Sequence, residues 1–144
     1  MRKIFVVLMS VCLMPFGLYA SQINHDRNSD PGEDKMISVI INPENPVQEL
    51  SPEQLKGIFT GRIKNWAEVG GNDFPIRPLI VRNSSKTRNA FREQVLGSEE
   101  YQGCTVIAPD NRIVSTVSKD RSAIGHISLE FIRGNDAVKS LSIK

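Results

Sequence analysis

Cysteine is nearly absent from this sequence: Cys12 lies in an apolar leader, and Cys104 stands alone in everything that follows. No disulfide can therefore close within the expected mature chain, even in an oxidising compartment. Cys104 falls in the apolar run Cys104 to Ala108, where a buried small hydrophobe is the expected role and an intermolecular bridge the alternative. Surplus charge is lacking too. The chain carries 18 basic and 16 acidic residues, and without Arg2 and Lys3 of the leader the two signs cancel. A neutral chain with interspersed charges has no footprint for nucleic acid or an anionic membrane surface. Also missing are a metal-spaced His/Cys/Asp cluster, a nucleophile elbow and a Walker-type phosphate loop, so nothing points to an enzyme. No internal repeat is present.

The one long apolar run is at the start. Arg2 and Lys3 precede an uncharged stretch from Ile4 to Leu18, and Ala20 offers a small-residue cleavage site before polar Ser21. The stretch is shorter than the roughly 20 residues of a membrane span, and Pro15 and Gly17 interrupt its end. Residues 1–20 are thus expected to be a cleaved signal peptide, with export to the periplasm and no membrane insertion after processing. A retained anchor is the alternative, because Leu18 is not the small residue preferred three positions before the cut. The residues before Cys12 lack the leucine and small-residue pattern of a lipoprotein site.

Residues 21–35 are rich in Asn, Asp, Ser, Pro and Gly, with Ile23 the one large apolar residue. Such a stretch buries too little surface to offset its ordering entropy, so a flexible lead-in is expected. The domain is expected over residues 36–144. Met36 to Ile41 is a β-branched run closed by the turn-forming pair Asn42-Pro43. Ser51-Pro52-Glu53-Gln54 then combines a cap, a first-turn proline and a capping-box glutamine. Leu55, Ile58 and Phe59 follow on one helix face, Gly61 ends the helix, and Trp66 lies in a loop running to Gly70-Gly71. A second helix, about residues 85–96, buries Ala90, Phe91, Val95 and, at its end, Leu96, and stops at Gly97. A third carries Ile113, Val114 and Val117 behind a cap at Asp110. Strands are expected near residues 36–42, 75–82, 104–108, 122–128 and 137–143. Strands alternating with helices predict an α/β fold: a three-layer arrangement with a mixed, mostly parallel sheet flanked by helices.

The stretch RNSSKTRNAF, residues 82 to 91, concentrates hydroxyls and positive charge at the start of the second helix. Two roles fit it. Ser84 or Ser85 can be an N-cap, worth about 1 kcal/mol. Equally, a helix N-terminus offers unpaired N–H groups and the positive end of its dipole, to which Ser84, Ser85 and Thr87 add hydroxyl donors. Arg82, leaving the preceding strand, adds a forked pair of charged donors, and Lys86 another charge. Arg88 and Arg92 are four apart and so share a helix face, expected to be solvated beside Glu93 and Glu99.

Three segments, in order, resemble the periplasmic phosphate-binding proteins of ABC uptake systems. NPENPVQELSPEQLKGIFTGRIKNWAEVGG, residues 42 to 71, is similar to that family's Asn-Pro turn, short helix ending in Ile-Phe-Thr-Gly, and Asn-Trp. VRNSSKTRNAF, residues 81 to 91, is similar to its phosphate loop and following helix. AIGHIS, residues 123 to 128, is similar to an Ala-Ile-Gly-Tyr strand near the end of the same lobe. The resemblance covers roughly residues 36 to 132 and favours the anion cradle over the cap.

The resemblance implies a single lobe of a two-lobed clamp that holds inorganic phosphate or a similar oxyanion, with Arg82, Ser85 and Thr87 matching the family's arginine, serine and threonine; Ser84 and Lys86 join the expected cradle by their own hydroxyl and charge. It implies no cofactor or metal, and as partners an ABC permease, a sensor, or a second lobe from another chain. Two departures change the expected pose: the spacing from Arg82 to Thr87 is one residue short, and Lys86 stands where the family has glycine. His126 replaces the family's tyrosine and is expected to be packed; Trp66 is expected to be a packing anchor. The competing reading is a ligand-free protein-interaction domain of the cell envelope.

Overall fold

The computed structural model describes residues 37–82, 86–109 and 111–144. The apolar run at its start forms β1 (Ile37–Ile41), and a two-residue strand β2 (Glu49–Leu50) follows the Asn-Pro turn. Asn42 ties that turn down: its side-chain amide donates to the Val117 and Ser118 carbonyls at 3.0 Å each, and its Oδ1 accepts from the Glu44 amide. The first helix, α1 (Pro52–Phe59), starts with the expected capping box between Ser51 and Gln54. It ends at Gly61, whose φ of +74° only glycine adopts without strain. Trp66 is fully buried, as expected of an anchor. It sits in a 3-10 turn (Trp66–Val69) rather than an irregular loop, because Asn65 and Glu68 form a second capping box.

Next come β3 (Arg77–Val81) and α2 (Lys86–Phe91), which continues as a π turn (Arg92–Leu96) and stops at Gly97. The remaining elements are β4 (Thr105–Ile107), α3 (Arg112–Val117), β5 (Ala123–Ser128), β6 (Lys139–Ser140) and β7 (Ser142–Ile143). The cap expected at Asp110 falls outside the described residues, and Asn111 makes no side-chain cap. The single strand expected over 137–143 is two. Leu141, buried and donating its amide to the Val39 carbonyl, is where the chain leaves β1 and turns to pair with β2.

The five-stranded sheet has the order β4-β3-β5-β1-β6. Strand β3 is parallel to β4 and β5, while β1 is antiparallel to β5 and β6. Four strands thus run one way and only β1 opposes them, a mixed and mostly parallel sheet as expected. Side-chain alternation along each strand feeds two cores. Val39, Ile41, Ile80 and Ile124 face Leu55, Ile58, Phe59, Phe91 and Leu96, under α1 and α2. Ile40, Leu79, Val81, Ala123 and Ile127 face Ile113, Val114 and Val117 of α3. Helices cover both faces, which is why the strands read as near-continuous apolar runs. Gly125 lets α3 approach: a methyl there would lie 3.0 Å from Ile113 Cγ2. Among the described residues no helix is long and apolar enough to cross a membrane.

Candidate functional site

Strands β3, β4 and β5 run in the same direction, so their C-terminal ends share one edge of the sheet, where open α/β sheets carry their ligands. Arg82 leaves β3 at that edge and is exposed. Lys86, exposed, and Thr87, half-buried, open α2 on the return. Ser84 and Ser85, the other two residues expected in the cradle, lie outside the described residues. The structure therefore brings Arg82, Lys86 and Thr87 to one sheet edge, two positive charges and a hydroxyl around a strand end and a helix start.

Behind that edge lies an aromatic cluster. Phe91 of α2 packs edge-on against Phe59 at 4.9 Å between centroids and face-on against His126 of β5 at 4.1 Å. Tyr101 stacks over the same group, 6.0 Å from His126. His126 is fully buried, with Nε2 3.3 Å from the Tyr101 hydroxyl and Nδ1 without a hydrogen-bond partner. Burial, helped by the nearby Arg88 charge, pushes its pKa down from the ordinary 6.5 to about 3, so it is neutral and packed, as expected. The Tyr101 hydroxyl donates to the Arg88 carbonyl at 3.2 Å. With that proton committed, the consistent tautomer has His126 Nε2–H donating to the tyrosine oxygen.

Arg88 departs from its expected place on a solvated face. It is half-buried, its Nη1 donates to the Val81 carbonyl at 3.1 Å, and its guanidinium lies 4.9 Å from the centre of the Tyr101 ring. Its sequence neighbours in charge are also paired otherwise: Arg92 bonds Glu100 at 2.8 Å, while Glu99 bridges Lys56 and Arg62 at 2.9 Å each. One signal was available. Arg88 precedes core-facing Phe91 by three residues and so shares its face. An open depression of about 270 Å³ lies beside Arg88, Asn89, Arg92, Glu100 and Tyr101.

Three titratable side chains beside this edge are held in their neutral forms. His126 is buried and neutral, burial pushes the Tyr101 hydroxyl well above its ordinary range, and Cys104, whose thiol bonds the Phe59 and Gln102 carbonyls, is pushed up to about 11. None of them is a base or nucleophile near neutral pH. Among the described residues no group of three or more His, Cys, Asp or Glu side chains could hold a metal.

Comparison with known proteins identifies the family of the fold. A family model described as "PBP superfamily domain" matches residues 35–142. The phosphate-binding protein PstS of Bacillus subtilis (strain 168) is 35% identical over 108 residues, covering 74% of this chain and 35% of that protein. PstS of Staphylococcus aureus (strain USA300) is 32% identical over 112 residues, covering 75% and 34%. Among solved structures, an ABC-type phosphate transport receptor from Vibrio cholerae superposes with a TM-score of 0.70 at 31% identity, over 75% of this chain and 46% of that one. The chain spans about a third of the length of the curated relatives it matches.

Proposed function

The chain belongs to the PBP superfamily domain family, and from that premise we propose that it is one lobe of a phosphate-binding protein, a binding module and not an enzyme. Inorganic phosphate or a related oxyanion is held between the end of β3 and the start of α2. Arg82 offers its guanidinium fork to two anion oxygens. Thr87, with Ser84 and Ser85, supplies hydroxyl and amide donors at the positive end of the helix. Lys86 brings a compact charge where a glycine would have allowed closer approach of the backbone. The observation that carries this reading is the convergence of Arg82, Lys86 and Thr87 at the C-terminal edge of the parallel strands. The names of the relatives supply the ligand class.

A second lobe completes the cleft by covering the anion from the other side, and the closed module serves an ABC permease or a sensor from the periplasm after removal of the leader. Titration with phosphate, followed at the Arg82, Lys86 and Thr87 amides by NMR, is the direct test. Resonances that stay fixed at tens of millimolar phosphate would end this reading in favour of a ligand-free interaction domain.

A further inference from the structure

Arg88 is fastened at both of its ends. Its carbonyl accepts the Tyr101 hydroxyl, and its guanidinium reaches back past the start of α2 to the Val81 carbonyl while lying over the Tyr101 ring. Tyr101 in turn is fixed by His126 of β5, which is stacked on Phe91. Among the described residues no carboxylate forms an ion pair with Arg88, unlike Arg92, which bonds Glu100. Its side-chain partners are a carbonyl oxygen and an aromatic face.

The carbonyl it holds is informative. Val81 C=O and Arg82 N–H belong to one planar trans peptide unit. Fixing the direction of that carbonyl fixes the Arg82 amide on the opposite side, pointing away from the Arg88 guanidinium, and sets the course on which Arg82 leaves β3. On the helix side, Arg88 follows Thr87 directly. One side chain therefore couples the strand end that carries Arg82 to the helix start that carries Lys86 and Thr87.

We propose that Arg88 is a positioning residue for the anion site: it does not touch the ligand but sets the geometry of Arg82 against Thr87 through the Val81 carbonyl and the Tyr101 ring. The inference rests on the phosphate reading above. It assigns to Arg88 the role of converting a charged strand end and a helix start into one preorganised site.

The test uses the full chain, Arg88→Ala, Arg88→Lys and Tyr101→Phe, with inorganic phosphate as the probe and amide NMR as the readout. Arg88→Ala is expected to bind phosphate roughly tenfold more weakly, the loss of one charge-assisted hydrogen bond. Arg88→Lys, which keeps a donor for Val81, recovers most of that loss. The ratio of wild-type to Arg88→Ala affinity stays constant as salt is raised, because a positioning contact is not screened as a direct ion contact is. Without phosphate, Arg88→Ala shifts the Arg82 and Thr87 amides and leaves those of Ile124 and Ile127 in place. Unchanged affinity in Arg88→Ala overturns the proposal; so does an affinity ratio that collapses with salt, which would mean that the Arg88 charge meets the anion. Should Arg88→Ala not fold, Tyr101→Phe carries the test: it removes the hydroxyl that holds the Arg88 carbonyl and must weaken binding independently of salt. If the wild-type chain itself does not bind, the phosphate reading falls, and the ligand-free spectra decide alone: an unmoved Arg82 amide overturns the role of Arg88.

Discussion

The His126 imidazole lies flat on the Phe91 ring, 4.1 Å between centroids and 7° between planes. This stack joins β5 to α2 directly beneath the proposed anion site, and it places a titratable ring in a space that excludes its charged form. Hydrogen bonds pass from it through Tyr101 to the main chain of Arg88. Among the described residues, ring contacts and hydrogen bonds rather than ion pairs join these elements.

The first prediction follows from that burial. His126 takes up a proton near 6.5 when the chain is unfolded but only near pH 3 when folded. Above pH 6.5 neither state is protonated and the contribution to stability is complete. As pH falls from 6.5 towards 3, the unfolded chain binds a proton that the folded chain refuses, so stability drops by up to about 1.4 kcal/mol per pH unit. Asp120 and Glu99, whose hydrogen-bonded carboxyls are held below their ordinary range, add their own loss only at the acidic end of this window. Urea unfolding between pH 7.5 and 4.5 should therefore show the slope in the wild type and lose most of it in His126→Phe. At pH 7.5 that variant should lie within about 1.5 kcal/mol of wild type, since the ring stack survives.

The lone thiol gives a second expectation. Cys104 is half-buried, and burial has pushed its pKa up to about 11. At pH 8 roughly one molecule in a thousand carries the thiolate, so reaction with a disulfide reagent should be slow in the folded chain and fast in denaturant. Rapid labelling of the folded protein at pH 8 would contradict the packing described for Cys104.

Gly71 tests the anchoring of Trp66. A methyl group there would lie 2.9 Å from Trp66 Cβ and 3.1 Å from the Trp66 carbonyl oxygen. Trp66 cannot retreat, because it is fully buried and its Nε1 donates to the Ser122 carbonyl at 3.1 Å. Gly71→Ala should therefore cost about 1–3 kcal/mol, the usual price of overpacking, measured as a lower urea midpoint with unchanged slope.

Much of this architecture was legible because its causes are local. The Ser51–Gln54 box, the glycine stops at Gly61 and Gly97, and the β-branched run of β1 each act within a few residues. The 3-10 turn at Trp66 is equally local, since Asn65 and Glu68 stand at capping-box spacing. The partner switch at Leu141 was not legible, because it depends on where β1 and β2 lie in space. Within the proposed site, Arg82, Lys86 and Thr87 were marked by their residue types. The bonds of Arg88 were not, since they reach Val81 seven residues back and Tyr101 thirteen residues on.

The last prediction concerns Arg82. It is exposed, and among the described residues no carboxylate forms an ion pair with it, so its removal should change the unfolding free energy by no more than about 0.5 kcal/mol. Its loss should nonetheless weaken phosphate binding about tenfold or more. A site open on one side leaves the anion partly hydrated, and exposed charge contacts contribute about 1 kcal/mol or less each. A handful of such net contributions sums to about 4 kcal/mol, an affinity on the order of millimolar at best in the absence of a second lobe. Removing the forked donor from so small a total should move the affinity to roughly the tens-of-millimolar range. Binding to the wild type should also weaken steadily with added salt, because the contacts face water. Calorimetric or NMR titration of Arg82→Ala beside wild type, at two salt concentrations and with matched unfolding curves, checks all three expectations together. Full phosphate affinity in Arg82→Ala would place the anion elsewhere on the lobe.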